Sequence, residues 1–337
     1  MAVMRFGMIG AGFIARPNGA ALIAQPSARL AAIANPTLAK AEQVARDLGA
    51  GCPVYADWRD MLDREQLDAV LINLPHHLHH DVFIACAERG LHIIIEKALA
   101  NTYVECRDMI EAARRCGIRA TVCHTQRYNA VFQAAKDYIA AHELGPLLSI
   151  SDNIHTHYFW EGRSSWQLSN EQSGGGIALN YGVHQLDRVH FFLGQKTVQF
   201  TARYLAEKPG YTILSSYVMM GVGDGGTPYV ITCSGYSGPN VDEMRLVFAN
   251  GILQCCLREN GLYASGLYFG DTASGRFTAQ PVPLSQDGYF QREFSAAVHY
   301  LSGETDQAPV PLEWGAEMVR LVETGFSGQT WQAKPTT

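Results

Sequence analysis

Asn180, His184 and Asp187 are spaced so that a helix would present them together. At separations of four and three residues, their side chains emerge on neighbouring turns of one face. His184 brings an imidazole, whose ordinary pKa of about 6.5 suits it to taking up and returning a proton near neutral pH. Asn180 brings a carboxamide, which donates and accepts hydrogen bonds without charge. Just before them, Ser173-Gly174-Gly175-Gly176 offers backbone bare of side chains, against which a flat ring can lie. Such a set fits acid/base chemistry on a substrate held over a planar cofactor.

A second set lies earlier in the chain. Gly10-Ala11-Gly12-Phe13-Ile14-Ala15 follows the apolar run from Arg5 to Ile9 directly. The first glycine allows a tight turn, the second lets backbone approach a pyrophosphate, and Ala15 is small enough for a helix to pack on the strand. Asn35 stands where an acidic residue would hold the ribose 2′-hydroxyl of NAD. It would not repel a 2′-phosphate, so NAD or NADP is expected, with a lean to NADP. Lys97, in the pair Glu96-Lys97, closes the apolar run 92–95. Its ammonium can hydrogen-bond a substrate hydroxyl and stabilise the alkoxide that forms as hydride leaves. Leu74-Pro75-His76-His77-Leu78-His79-His80 has the look of a metal site, yet Asp81 is the one further ligand type beside it. Pro75 marks a turn at a strand end, so the segment is read as a loop over the nicotinamide half of a dinucleotide, with no metal.

Positioning these groups requires a particular order of elements. Strands are expected at 5–9, 30–34, near Val54, and at 69–73, 92–95 and 119–123, with helices at 38–49, 58–64, 81–89 and 102–116 between them. Alternation of this kind predicts a parallel, doubly wound Rossmann sheet whose ligands lie at the carboxyl ends of the strands. The nearly continuous apolar character of the strands predicts that both faces are covered. A helix over 131–141 and a strand over 147–154 follow, then the segment His155-Thr156-His157-Tyr158-Phe159-Trp160, whose aromatic faces could line a sugar site. Strand patterns at 197–205, 213–220, 229–236, 243–249, 252–257 and 262–269 predict one large, mainly antiparallel sheet, with a hairpin at Asn250-Gly251. Closing helices are expected at 289–301 and 313–326. The chain thus divides into a dinucleotide-binding domain, 1–125, and an α+β domain for substrate and oligomerisation, 126–337.

Composition narrows the partners. The chain has 337 residues, with 26 Lys and Arg against 32 Asp and Glu, for a net charge of −6. No basic run appears, which argues against a nucleic-acid surface. No apolar run reaches the roughly 20 residues of a membrane span. The eight cysteines form no CxxC pair, so they read as reduced thiols of a cytoplasmic protein.

With these residues together, the chain resembles the Gfo/Idh/MocA family of NAD(P)-dependent oxidoreductases over essentially its whole length. The resemblance rests on the Gly10–Ala15 turn, the Leu74–His79 loop, Glu96-Lys97-Ala98, Gln126-Arg127-Tyr128, the stretch from Trp166 through the glycines to His184 and Asp187, and the segment from Glu317 to Gly328. It implies that Lys97 and His184 are catalytic, with Asn180 where most members carry aspartate. It implies a cofactor held by Gly10, Gly12, Phe13, Ile14, Ala15, Asn35, Leu74, Pro75, His76, His79, Glu96 and Lys97. On the substrate side it implies Lys97, Arg127, Tyr158, Trp166, Asn180 and His184. The expected activity is hydride transfer to or from a hydroxyl or carbonyl carbon of a sugar, polyol or related compound, in a homodimer or homotetramer built through the open sheet. The alternatives are a non-catalytic NAD(P)-binding sensor on the same fold and a glycoside-cleaving enzyme that uses NAD for transient oxidation.

Overall fold

The computed structural model describes residues 3–326 and 331–332, apart from 206–209, 212, 237, 260–262, 284 and 286–287. Contacts group the chain into two compact units. One is Met1–Thr125 with Tyr289–Val319, and the other is Gln126–Gly288 with Arg320–Thr337. The division expected from sequence assigns everything after 125 to the second domain. The structure instead returns Tyr289–Val319 to the first unit. The reason is packing: Phe294, Ala297, Val298 and Leu301, one face of helix Tyr289–Leu301, share a core cluster with Met8, Ala15, Leu22 and Ile94.

The first unit is built on six parallel strands: β1 (Met4–Ile9), β2 (Ala28–Ala34), β3 (Val54–Tyr55), β4 (Ala69–Ile72), β5 (His92–Ile95) and β6 (Ala120–Val122). Their order is β3-β2-β1-β4-β5-β6, with the switch point beside β1 that places ligands at the strand ends. The strands of the middle are buried throughout, from Ala69 to Ile72 and from Ile93 to Ile95. Both faces are therefore covered, as the unbroken apolar runs require. Helix Tyr103–Cys116 shows how local signals set an element's limits. Thr102 and Glu105 form a reciprocal capping box at its start, and Gly117 ends it in the left-handed conformation.

The second unit carries a nine-stranded sheet: β7 (Leu147–His155), β8 (Thr197–Leu205), β9 (Ser216–Gly223), β10 (Pro228–Ser234), β11 (Val241–Phe248), β12 (Gly251–Cys256), β13 (Gly266–Asp271), β14 (Phe277–Gln280) and β15 (Trp331–Gln332). The order is β14-β13-β12-β11-β7-β10-β9-β8-β15. Every pair is antiparallel except β7 with β10. The expected hairpin joins β11 to β12, with Phe248 paired to Gly251. Residue 262, where one strand was expected to start, and 327–328 of the closing segment lie outside the described residues.

Candidate active site

β1 is followed at once by Gly10, whose φ is +100°. A Cβ there would come 2.6 Å from the carbonyl oxygen of Asn73, so only glycine fits. Around Gly12 an added Cβ would meet nothing within 4 Å, which leaves room for a phosphate beside the backbone. Ala15 is fully buried and opens helix Ala15–Ile23, whose N-terminus has no side-chain cap. Uncapped first-turn N–H groups favour an anion there. Asn35 follows β2 and braces the turn: its Oδ1 accepts from the Ala11 N–H at 3.1 Å, and its Nδ2 donates to Thr37 O at 2.9 Å. Phe13 at the tip is 93% exposed, and Ile14 is half-buried. These residues fit the pyrophosphate end of a dinucleotide.

The ends of β4 and β5 are joined by one buried carboxamide. Asn18, with 0% exposure, donates from Nδ2 to Asn73 Oδ1 at 2.9 Å and to Glu96 Oε1 at 2.8 Å. Burial raises the Glu96 carboxyl above its ordinary range, offset in part by Asn18 and the neighbouring Lys97. Glu96 Oε2 accepts from the Lys97 backbone N–H at 3.2 Å. Lys97 is half-buried at the mouth of β5, and the peptide to Ala98 is cis.

His79 lies beneath this turn with 0% exposure. Its Nδ1 is 2.9 Å from Ala98 O and 3.2 Å from Leu99 O, and its Nε2 is 2.8 Å from Leu74 O. Burial pushes its pKa down to about 4, against the three carbonyls. His76 is buried too and meets His79 edge-on at 5.9 Å. Both residues were expected at the cofactor, and both side chains are buried in the fold. The His79 ring is turned into the protein, where strand-end carbonyls take the place of solvent. Leu74 and Pro75 keep partial exposure. His80 lies 2.9 Å from Asp81 and 3.8 Å from Asp108. Among the described residues, no three His, Cys, Asp or Glu side chains are grouped to hold a metal ion.

In the second unit, Asn180, His184 and Asp187 ride on helix Ile177–Leu193. Ile177, Leu179, Val183, Leu186 and Val189 bury the helix, while His184 stays partly exposed. Asn180 is buried and donates from Nδ2 to the Tyr158 hydroxyl at 3.3 Å. Asp187 accepts from Arg127 Nε at 2.8 Å and Nη2 at 2.5 Å. Tyr158 is fully buried behind Asn180 under the Arg163 guanidinium, 3.8 Å from the ring centre. Arg127 is committed to a carboxylate that is 1% exposed. Tyr158 thus braces the Asn180 amide, and Arg127 braces Asp187. Trp166 lies in the turn Ser165–Leu168 and is half-buried.

Gly175 has φ +126°, and a Cβ there would overlap the ring of Phe326. At Gly175 the flat ring against the backbone is that of Phe326.

Sequence reasoning missed two groups of residues. Asn18 sits in the first turn of an apolar helix just past the glycine turn, a polar residue on a face that must be buried. Arg188 and Gln185 carry the same signal in helix Ile177–Leu193. Arg188 is fully buried, with Nε 2.5 Å and Nη2 2.7 Å from the Asp152 carboxylate and Nη1 2.7 Å from Asp242. Gln185 donates to Thr232 O at 3.1 Å and accepts from the Tyr217 hydroxyl at 2.5 Å. Together they fasten the helix to β7, β9, β10 and β11.

Residues 4–124 match the Gfo/Idh/MocA oxidoreductase family, NAD-binding Rossmann fold, and residues 132–254 match the Gfo/Idh/MocA C-terminal domain. The chain is 28% identical over 269 residues to levoglucosan dehydrogenase from Pseudarthrobacter phenanthrenivorans, covering 74% of this chain and 65% of that protein. It is 27% identical over 194 residues to 2,7-anhydro-N-acetylneuraminate hydratase from Mediterraneibacter gnavus, covering 58% of this chain and 50% of that one. The chain thus spans between half and two thirds of these relatives' lengths. A structure of levoglucosan dehydrogenase in complex with NADH and levoglucosan shares the fold, with a TM-score of 0.85, 20% identity and coverage of 99% and 100%.

Proposed function

The chain belongs to the Gfo/Idh/MocA oxidoreductase family, and from that premise we propose that it moves hydride between a nicotinamide dinucleotide and a hydroxyl or carbonyl carbon of a sugar, polyol or related compound. The observation that carries this reading is the glycine turn at the end of β1, open at Gly12 and braced by Asn35, in the same sheet whose β5 leads through Glu96 to Lys97. Gly10, Gly12 and the first turn of helix Ala15–Ile23 would hold the dinucleotide, which supplies the hydride acceptor when bound. Lys97 stabilises negative charge developing on the substrate oxygen. His184 takes the hydroxyl proton in oxidation and returns it in reduction. Asn180 holds the substrate oxygen by a neutral hydrogen bond, its amide oriented by Tyr158.

Cofactor choice turns on Asn35. Its carboxamide is committed to Ala11 and Thr37, so no carboxylate repels a 2′-phosphate, and NADP is expected to bind at least as tightly as NAD. Fluorescence titration with both dinucleotides checks this; a preference for NAD of about tenfold, or roughly 1.4 kcal/mol, would refute it.

The similarity to a hydratase of an anhydro sugar supports a second reading, in which bound NAD is reduced and reoxidised within one turnover. A panel of sugars, polyols and anhydro sugars with either dinucleotide separates the two. Net nicotinamide reduction is expected for the dehydrogenase, and product without net reduction favours the second reading. On the substrate so found, His184→Ala should lower turnover by roughly 10²–10⁴ and leave dinucleotide binding nearly intact. Unchanged turnover would remove His184 from the chemistry.

A further inference from the structure

We propose that His79 is a positioning residue for Lys97, an inference that rests on Lys97 being the charge-stabilising group of the reaction proposed above. The ring is wedged between two turns. On one side is Leu74, which follows β4. On the other are Ala98 and Leu99, the two residues immediately after Lys97. All three contacts are backbone carbonyl oxygens within 3.2 Å, which accept and never donate. The ring is held neutral by burial until pH falls to about 4. Whichever nitrogen carries the proton donates to its turn, and the other nitrogen stands within 3.2 Å of a carbonyl of the second turn. The ring's place in the wedge fixes how far apart the two turns stand.

The turn carrying Lys97 is thus pinned twice. Glu96, itself held by Asn18, accepts the Lys97 backbone N–H from before the residue. The His79 ring stands against the carbonyls just after it, with Nδ1 2.9 Å from Ala98 O and 3.2 Å from Leu99 O. Those carbonyls are buried with Ala98 and Leu99, each 1% exposed, so water does not replace the imidazole without rearrangement. A relaxed turn would move the Lys97 ammonium, and a displacement near 1 Å can cost about a hundredfold in rate.

The test is a double-mutant cycle with His79→Phe, which keeps a flat ring without its N–H, and Lys97→Met. His79→Phe is expected to lower kcat roughly ten- to a hundredfold while dinucleotide affinity is retained. In the Lys97→Met background the same change should alter the residual rate by less than about twofold, because the group it positions is gone. In the protein without cofactor, amide exchange over residues 96–101 should quicken by roughly tenfold without a matching rise in β2 or β3. His79→Gln, which restores an N–H donor, should recover part of the rate, and it carries the same cycle if His79→Phe does not fold. Equal losses in both backgrounds, or unchanged exchange over 96–101, would overturn the proposal and leave the catalytic reading intact. Should Lys97→Met itself leave kcat unaltered, the catalytic reading fails and the role of His79 falls with it.

Discussion

Around Gly10 and Lys97, polar side chains are anchored mostly on backbone: Asn35 on Ala11 N–H and Thr37 O, His79 on three carbonyls. Beneath His184 the anchors are buried side-chain charges: Arg188 with Asp152 and Asp242, and Arg127 with Asp187. The contrast follows from the two sheets. Parallel strands end together at one edge, where successive turns bring carbonyl and amide groups within reach of a single side chain. A helix lying on a mainly antiparallel sheet meets strands whose backbone groups already pair with one another. It must be fastened through side chains instead. Backbone anchors are neutral and adjustable, whereas a buried ion pair fails abruptly when one partner is removed.

The sharpest way to break this comparison is Arg188→Leu. It leaves the carboxylate of Asp152 buried without its cation, and the expected loss is about 3–5 kcal/mol of unfolding free energy. Denaturant titration measures it. A loss near 1 kcal/mol would mean that the helix is held by its apolar face alone.

Next in size is the acid sensitivity of His79. Its folded pKa lies below the ordinary value of 6.5, at about 4, so the unfolded chain binds the extra proton between these limits. Stability from this group is present above about pH 6.5 and is lost as pH falls toward 4, by roughly 3 kcal/mol in all. Melting curves of wild type and His79→Phe across that window should converge as pH falls. Parallel curves would show that the folded pKa is not depressed.

A smaller effect is expected on the functional face of the helix. Asn180→Ala should lower kcat/KM by roughly 1–3 kcal/mol, because a buried hydrogen-bonding partner is left unpaired. Asn180→Asp sharpens this, since a carboxylate beside His184 should raise the apparent pKa of the base in the pH–rate profile. An unchanged profile would separate the two residues functionally.

Smallest of all should be Asn35→Ala in the first unit. It removes a neutral brace with solvent nearby, for about 0.5–1.5 kcal/mol. A loss as large as that of Arg188→Leu would dissolve the distinction between the two regions.

Legibility in the sequence followed the same divide. β4 and β5 announce themselves by unbroken apolar runs, and helix Ile177–Leu193 by its period, so the elements carrying Lys97, Asn180 and His184 were readable. β14 was not, since its residues are almost wholly exposed and burial imposes no alternation on them. The role of His79 could not be read because its partners are carbonyls, which every residue possesses. Gly175 pointed to a flat ring, but Phe326 lies far along the chain and no local pattern joins the two. Asn18 and Arg188 did leave a trace: each is polar at a position where the helical period demands an apolar side chain.

The return of Tyr289–Val319 to the first unit has a consequence for biosynthesis. Phe294, Ala297, Val298 and Leu301 complete the core around Met8 and Leu22, yet the ribosome makes them only after the whole run Gln126–Gly288. The nucleotide-binding half, though first to emerge, therefore cannot close as it is translated, while domains made from one continuous stretch generally fold as units during synthesis. A nascent chain stalled at Gly288 should expose Leu22 and its neighbours to chaperones and proteases, and the same chain extended past Val319 should not. Proteolysis of stalled complexes would reveal the difference, and equal resistance at both lengths would mean that the first unit seals without its late helix.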